Sequence, residues 1–215
     1  MSKTDVKRKP YESPKRAAAA RERRRRIRAA ASELFTQEGY AATTMKSIAI
    51  KAGVSERTVY LAFPTKAALL ADCIRGAVRG NAEEIPKLAQ PSFRAALEAP
   101  PDQMLRLLAE ASTELMSRAA KLLAIGESVG PEDPEVTNFR DLGHAATRAD
   151  MLDVASALKR AGVLRKGLPA ERAADIMYAL VASESVYLRL VDQRGWSDQA
   201  YARVLEQTLA GALGR

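Results

Sequence analysis

Apolar residues recur along this chain at three- and four-residue spacing and hardly ever in alternation, so the predicted elements are helices. Ile27, Ala31, Leu34 and Phe35 fall at i, i+4, i+7 and i+8. They form one apolar stripe on a helix read from Ala17 to a stop at Gly39. A short helix follows, Met45–Ala52, with Thr44 at its N-cap, Ile48 and Ala49 facing inward and Gly53 after its end. Ser55 caps a third helix, which carries Val59 and Phe63 inward and stops at Pro64. Thr65 caps a fourth, with Leu69, Leu70 and Ile74 toward the core, running to Gly80. A loose stretch precedes one or two helical turns at Ser92–Glu98. A long helix then opens at Pro101, a residue suited to the first turn. Met104, Leu105, Leu108, Ala111, Leu115, Ala119 and Leu122 mark its inner stripe, and Gly126, Gly130 and Pro131 break the chain. Further helices are read over Pro134–Ala161, Pro169–Asp192 and Ser197–Ala212. The fold class is all-α, about nine helices without a repeat of fixed period.

Composition narrows the classes. Of 215 residues, 47% are hydrophobic and 28% charged, ordinary for a globular chain that buries a core. Its one cysteine, Cys73, forms no internal bridge and is read as a small core residue. No run of about 18 apolar residues suggests a membrane span. The polar, basic N-terminus lacks the apolar stretch of a signal peptide, so the expected compartment is the cytoplasm, with no membrane partner. Residues 1–16, with Pro10 and Pro14, read as a flexible basic tail.

Charge separates the chain into two parts. Residues 1–80 hold 18 basic and seven acidic residues, a net +11. Residues 81–215 hold 16 basic and 19 acidic, a net −3. One end is suited to a polyanion and the other is not. The run Arg21-Glu22-Arg23-Arg24-Arg25-Arg26-Ile27-Arg28 sits near a helix start. Cations there oppose the helix dipole by ~0.3–1 kcal/mol each at low salt. A solvated helix start is one reading. DNA contact by Arg23 and Arg24, with Lys15 and Arg16 beside them, is the favoured one.

Two short helices around Ala52-Gly53-Val54-Ser55, preceded by a basic helix, make a helix-turn-helix, with Val54 plugging the inside corner. The second helix shows its exposed face to a major groove, and backbone N–H groups at helix starts, Ser55 among them, meet phosphates. Enzyme signatures are missing: there is no H-E-x-x-H, G-x-x-x-x-G-K, G-x-G-x-x-G or G-x-S-x-G. One His and one Cys make no metal cluster or Cys/His pair, so neither metal, cofactor nor enzymatic activity is expected.

The order Thr44-x-x-x-Ile48-Ala49-x-x-Ala52-Gly53-Val54-Ser55-x-x-Thr58-Val59-Tyr60-x-x-Phe63-x-Thr65-Lys66-x-x-Leu69 resembles the TetR family of transcriptional regulators over about 45 residues. Val186-Tyr187, Val191-Asp192 and Gly195-Trp196-Ser197 are similar to the break between that family's last two long helices. The resemblance implies that Thr44 and Tyr60 hold phosphates through hydroxyls and that Lys66 contacts another. It places Glu56, Arg57 and Thr58 where base edges are read. Arg57 suits guanine O6 and N7, a contact worth ~1–3 kcal/mol of discrimination. Glu56 can accept from cytosine or orient Arg57. Leu61 and Ala62 stand where the family often has an aromatic and a histidine or tyrosine. Leu61 can touch a thymine methyl, whereas Ala62 lacks a phosphate contact.

The resemblance also implies four regions: the tail 1–16, a helix-turn-helix head 17–64, a connecting helix 65–80, and an effector and dimerisation body 81–215. Pocket candidates are Met104, Leu108, Met116, Phe139, His144, Met151, Met177 and Tyr178, each of which also suits plain core packing. Dimer candidates are Ile176, Leu180, Tyr187, Val191, Val204, Leu205 and Leu209, some of which must face their own domain. Trp196 is expected to anchor the last helix. The implied function is a homodimeric repressor that leaves palindromic double-stranded DNA when a small effector binds. A non-specific nucleic-acid or anionic-surface binder is the alternative.

Overall fold

The computed structural model describes residues 14–80 and 86–214. They form ten α-helices and no strand, with the ninth helix a single turn. Helix α1 (Pro14–Ala42) begins three residues before Ala17, inside the stretch read as tail, because proline is tolerated in a first helical turn. Gly39 interrupts it at φ +83°, and its carbonyl accepts from the Thr43 hydroxyl at 2.8 Å. Helix α2 (Met45–Ala52) starts in a capping box. The Thr44 hydroxyl accepts from the Ser47 amide at 3.0 Å, and the Ser47 hydroxyl accepts from the Thr44 amide at 3.0 Å. Gly53 ends it at φ +65°, a left-handed conformation in which a β-branched residue would be strained. Helix α3 (Glu56–Ala62) is capped by Ser55, and helix α4 (Lys66–Arg79) by Thr65.

Ile27 and Phe35 from α1, Ile48 from α2, Val59 from α3 and Leu69 and Leu70 from α4 are fully buried together. This head core is continuous with Leu122 and Val136 of the body. The body comprises α5 (Pro91–Glu98), α6 (Pro101–Val129), α7 (Pro134–Arg160), α8 (Ala170–Val181), α9 (Glu184–Tyr187) and α10 (Asp198–Leu213). Helix α6 is the central element, packed against α4, α5, α7, α9 and α10. No helix among the described residues is long and apolar enough to cross a membrane.

Two sequence expectations change here. Gly126 does not break α6, which runs through it to Val129. Its missing side chain admits α4 instead: a Cβ there would lie 3.0 Å from the Ile74 Cδ1. The helix expected over Pro169–Asp192 is interrupted at Ala182 and Ser183, then continues as α9 and a π-turn at Leu188–Asp192. Ser183 and Ser185 hydroxyls face each other at 3.3 Å, and serine competes with the helical backbone ladder.

Candidate nucleic-acid interface and ligand cavity

The inward side of α3 is Val59, fully buried, followed by Phe63 just past its end. Its other side is open. Glu56, Arg57, Tyr60 and Leu61 are exposed, Leu61 by 78% and Tyr60 by 48%, and Thr58 is half-buried. Among the described residues Glu56 and Arg57 make no ion pair or hydrogen bond, so both side chains are available to a base edge. Thr58 is tied to its cap, its hydroxyl 2.8 Å from that of Ser55. The Thr44 hydroxyl is exposed but belongs to the α2 capping box. Ile50, 72% exposed on α2, was not a candidate from sequence. Its signal was there: the inward set Met45, Ile48, Ala49 and Ala52 leaves Ile50 on the opposite side of the helix.

The arginine run divides into two roles. Arg23 is exposed and makes no ion pair or hydrogen bond among the described residues. Arg25 is bound to Glu22 at 2.8 Å. Arg24, half exposed, also braces the head. Its Nη1 donates to the Ala62 carbonyl at the end of α3 at 2.6 Å, and its guanidinium lies 4.1 Å from the Phe63 ring centre. The structure therefore engages Arg24 in fixing α3 against α1, a role that the charge run did not reveal. Lys66 is similar. Its Nζ donates to the carbonyls of Tyr40 at 2.8 Å and Thr43 at 3.1 Å, and sits 4.2 Å from the Tyr40 ring centre. Burial pulls its pKa down, opposed by Asp133. Lys66 thus holds the α1–α2 corner. Burial first, and then Asp133, push the Tyr40 phenol up to about 12.

Asp72 on α4 joins three guanidiniums. Its carboxylate oxygens lie 3.3 Å from Arg24, 3.7 Å from Arg28 and 3.5 Å from Arg75. Arg75 in turn lies 5.3 Å from the Phe139 ring centre and lines a body cavity. A continuous set of contacts thus runs from the cavity, through Phe139, Arg75, Asp72 and Arg24, to the end of α3.

That cavity has a volume of about 540 Å³ between α4, α6, α7 and α8. Met116, Phe139, His144, Met151 and Tyr178 line it, five of the eight residues named from sequence. Met104, Leu108 and Met177 are core residues instead. Met104 and Leu108 precede Ser112, the first α6 residue at the cavity, and Met177 is one position and about 100° of helix from Tyr178. His144, a pocket candidate from sequence, bonds Glu127 at 2.7 Å and lies on the cavity wall.

The dimer candidates divide likewise. Tyr187, Leu205 and Leu209 are buried in the body's own core. Tyr187 packs edge-on to Tyr201 at 5.0 Å and donates its hydroxyl to Asp198 at 2.6 Å. Ile176, Leu180 and Val191 are half-buried against that core, while Val204 is exposed, with Val186 and Trp196 beside it in the exposed set. Trp196, expected to anchor the last helix, is 37% exposed, and its amide donates to the Leu190 carbonyl at 3.1 Å. Cys73 is buried, and that burial raises its thiol pKa to about 12. Among the described residues no group of three or more His, Cys, Asp or Glu side chains is placed to hold a metal ion.

The profile of bacterial regulatory proteins of the tetR family matches residues 27–73, the span from Ile27 on α1 to Cys73 on α4. Over this span the head is similar to the DNA-binding domain of that family. The rest of the chain follows the same fold. A transcriptional regulator from Saccharomonospora viridis, solved in complex with choline, is 19% identical with a TM-score of 0.71, over 91% of this chain and 99% of that one. A TetR-family regulator from Mesorhizobium loti is also 19% identical, with a TM-score of 0.70 over 95% and 100%. NalD of Pseudomonas aeruginosa, the secondary repressor of the MexAB-OprM multidrug efflux pump, is 21% identical with a TM-score of 0.68 over 92% and 98%. At these identities the likeness is one of fold. The curated proteins contain no match to this chain.

Proposed function

We propose that this TetR-family chain is a repressor that binds a palindromic DNA operator as a homodimer and is released when a small molecule occupies the body cavity. The observation that carries the reading is the outward face of α3. Arg57 and Glu56 are exposed and uncommitted there, on a short helix held by a cap, a buried Val59 and the Arg24 strut. Arg57 is the base reader, Tyr60 and Thr44 meet phosphates, Leu61 meets a thymine methyl, and Arg23 adds backbone charge.

The exposed Val186, Trp196 and Val204, with half-buried Ile176, Leu180 and Val191 nearby in the chain, supply apolar surface for a second copy. Two heads about 34–36 Å apart then enter successive major grooves on one side of the duplex. Release follows if the occupied cavity favours a head position that no longer fits both half-sites. The contacts from Phe139 through Asp72 to Arg24 give that change a physical route.

Spacing tests the paired-head reading. Inserting five base pairs, about half a helical turn, between the half-sites turns them to opposite sides of the duplex. Affinity measured by fluorescence anisotropy is expected to fall at least tenfold, and a ten-base-pair insertion to lose less on twist grounds. Equal affinity for all three spacings would sink the dimer reading and favour non-specific binding.

A further inference from the structure

We propose that the body cavity selects an organic cation, a quaternary or protonated amine with an apolar body, whose charged head lies among Glu127, Glu184, Tyr178 and His144. The proposal rests on the reading of this cavity as the effector site and adds the ligand's chemistry.

The wall also includes Val78, Phe93, Leu115, Met116 and Met151, which suit a hydrocarbon body. The charges on the wall are unevenly matched. Lys87 pairs with Asp150 at 2.7 Å and Arg140 with Asp141 at 2.9 Å, while Arg75 shares Asp72, 3.5 Å away, with Arg24 and Arg28. Arg79 is partnered as well. The carboxylate of Glu184 has no ion pair or hydrogen bond among the described residues. Glu127 bonds only His144, at 2.7 Å.

Both carboxylates line the cavity together with Tyr178 and His144. Burial raises the pKa of Tyr178, and Glu127 and Glu184 raise it further through their charge. The Tyr178 and His144 rings meet edge to face, their centres 6.4 Å apart. Aromatic rings and carboxylates on the wall of an apolar cavity are groups that recognise a weakly hydrated cation. Arg75, above the Phe139 ring, disfavours the same cation at that part of the wall. Glu184 also follows the interruption after α8, where Val181 and Ala182 line the cavity too, so the irregular backbone is what brings this carboxylate to the wall.

The test compares three probes of matched chain length on the full chain without DNA: octyltrimethylammonium, octan-1-ol and octanoate, each by calorimetry below its micelle concentration. The ammonium is expected to bind at least about tenfold more tightly than either of the others. Glu184→Gln and Glu127→Gln are each expected to weaken it about tenfold while leaving octan-1-ol affinity and the melting temperature unchanged. Tighter binding of octanoate, no binding of the ammonium, or unchanged ammonium affinity in Glu184→Gln would overturn the proposal. Should a variant melt early, charge reversal of the probe on the wild-type chain still decides the matter. A separate titration of the operator complex distinguishes the two readings. Binding of the ammonium without loss of DNA would contradict release and leave the ligand class standing. DNA binding intact with no affinity for the ammonium would do the reverse.

Discussion

Arg57→Ala is expected to lower affinity for the operator roughly 5–150-fold, the equivalent of the ~1–3 kcal/mol that one bidentate guanidinium contact to guanine discriminates. Affinity for an unrelated duplex of the same length is expected to fall less than about threefold, because phosphate contacts carry that binding. The reasoning depends on where Arg57 sits. It is exposed on α3, has no ion pair or hydrogen bond among the described residues, and follows the Ser55 cap that keeps the helix in place. Truncation therefore removes a reader without opening the core. Anisotropy titrations on both duplexes at physiological salt check this. A parallel loss on both duplexes would mean that Arg57 serves only as backbone charge.

Asp72→Asn is expected to uncouple the cavity from the head. Coupling between two sites typically spans ~1–3 kcal/mol, or 5–150-fold in affinity. In the wild-type chain, saturating octyltrimethylammonium should weaken operator binding by a factor in that range. In the variant the factor should fall below about three, with the ammonium's own affinity unchanged. The substitution keeps the shape of the side chain and removes the one charge that Arg24, Arg28 and Arg75 share. Arg24 then keeps its bond to the Ala62 carbonyl and loses its link to the cavity wall. Full coupling in the variant would place the route elsewhere, for instance through Thr65, whose hydroxyl donates to Glu135 of α7 at 2.8 Å.

Most of the head was legible in the chain itself. Thr44, Ser55 and Thr65 each mark a helix start with a short hydroxyl side chain, and Gly53 marks the left-handed corner between α2 and α3. Those signals are local, so nearest-neighbour chemistry reveals them. The roles of Arg24 and Lys66 were not legible. A cation in a basic run looks the same whether it meets a phosphate or a carbonyl, and the Ala62 carbonyl is 38 residues from Arg24. Asp72 stayed hidden for the same reason: its partners are Arg24, Arg28 and Arg75, on two helices.

The body was legible as helices but not as a site. An apolar stripe shows which face of α6 turns inward. It does not distinguish Met104, packed against neighbours, from Met116, which borders open space. The same limit separates Tyr187, Leu205 and Leu209, buried in the body, from exposed Val204 on the same two terminal segments. The interruption at Ala182–Ser183 had only a weak local signal, the two serines, and it shapes the cavity wall.

The central claim is sequence-specific binding by paired heads. A footprint of the full chain on the DNA upstream of its own gene, at physiological salt with excess competitor, tests it most directly. The account predicts protection of an inverted repeat whose half-sites lie about one helical turn apart, lost when Arg57 is replaced by alanine. Uniform or smeared protection that vanishes as salt rises, with no difference for Arg57→Ala, would contradict it and leave a non-specific polyanion binder.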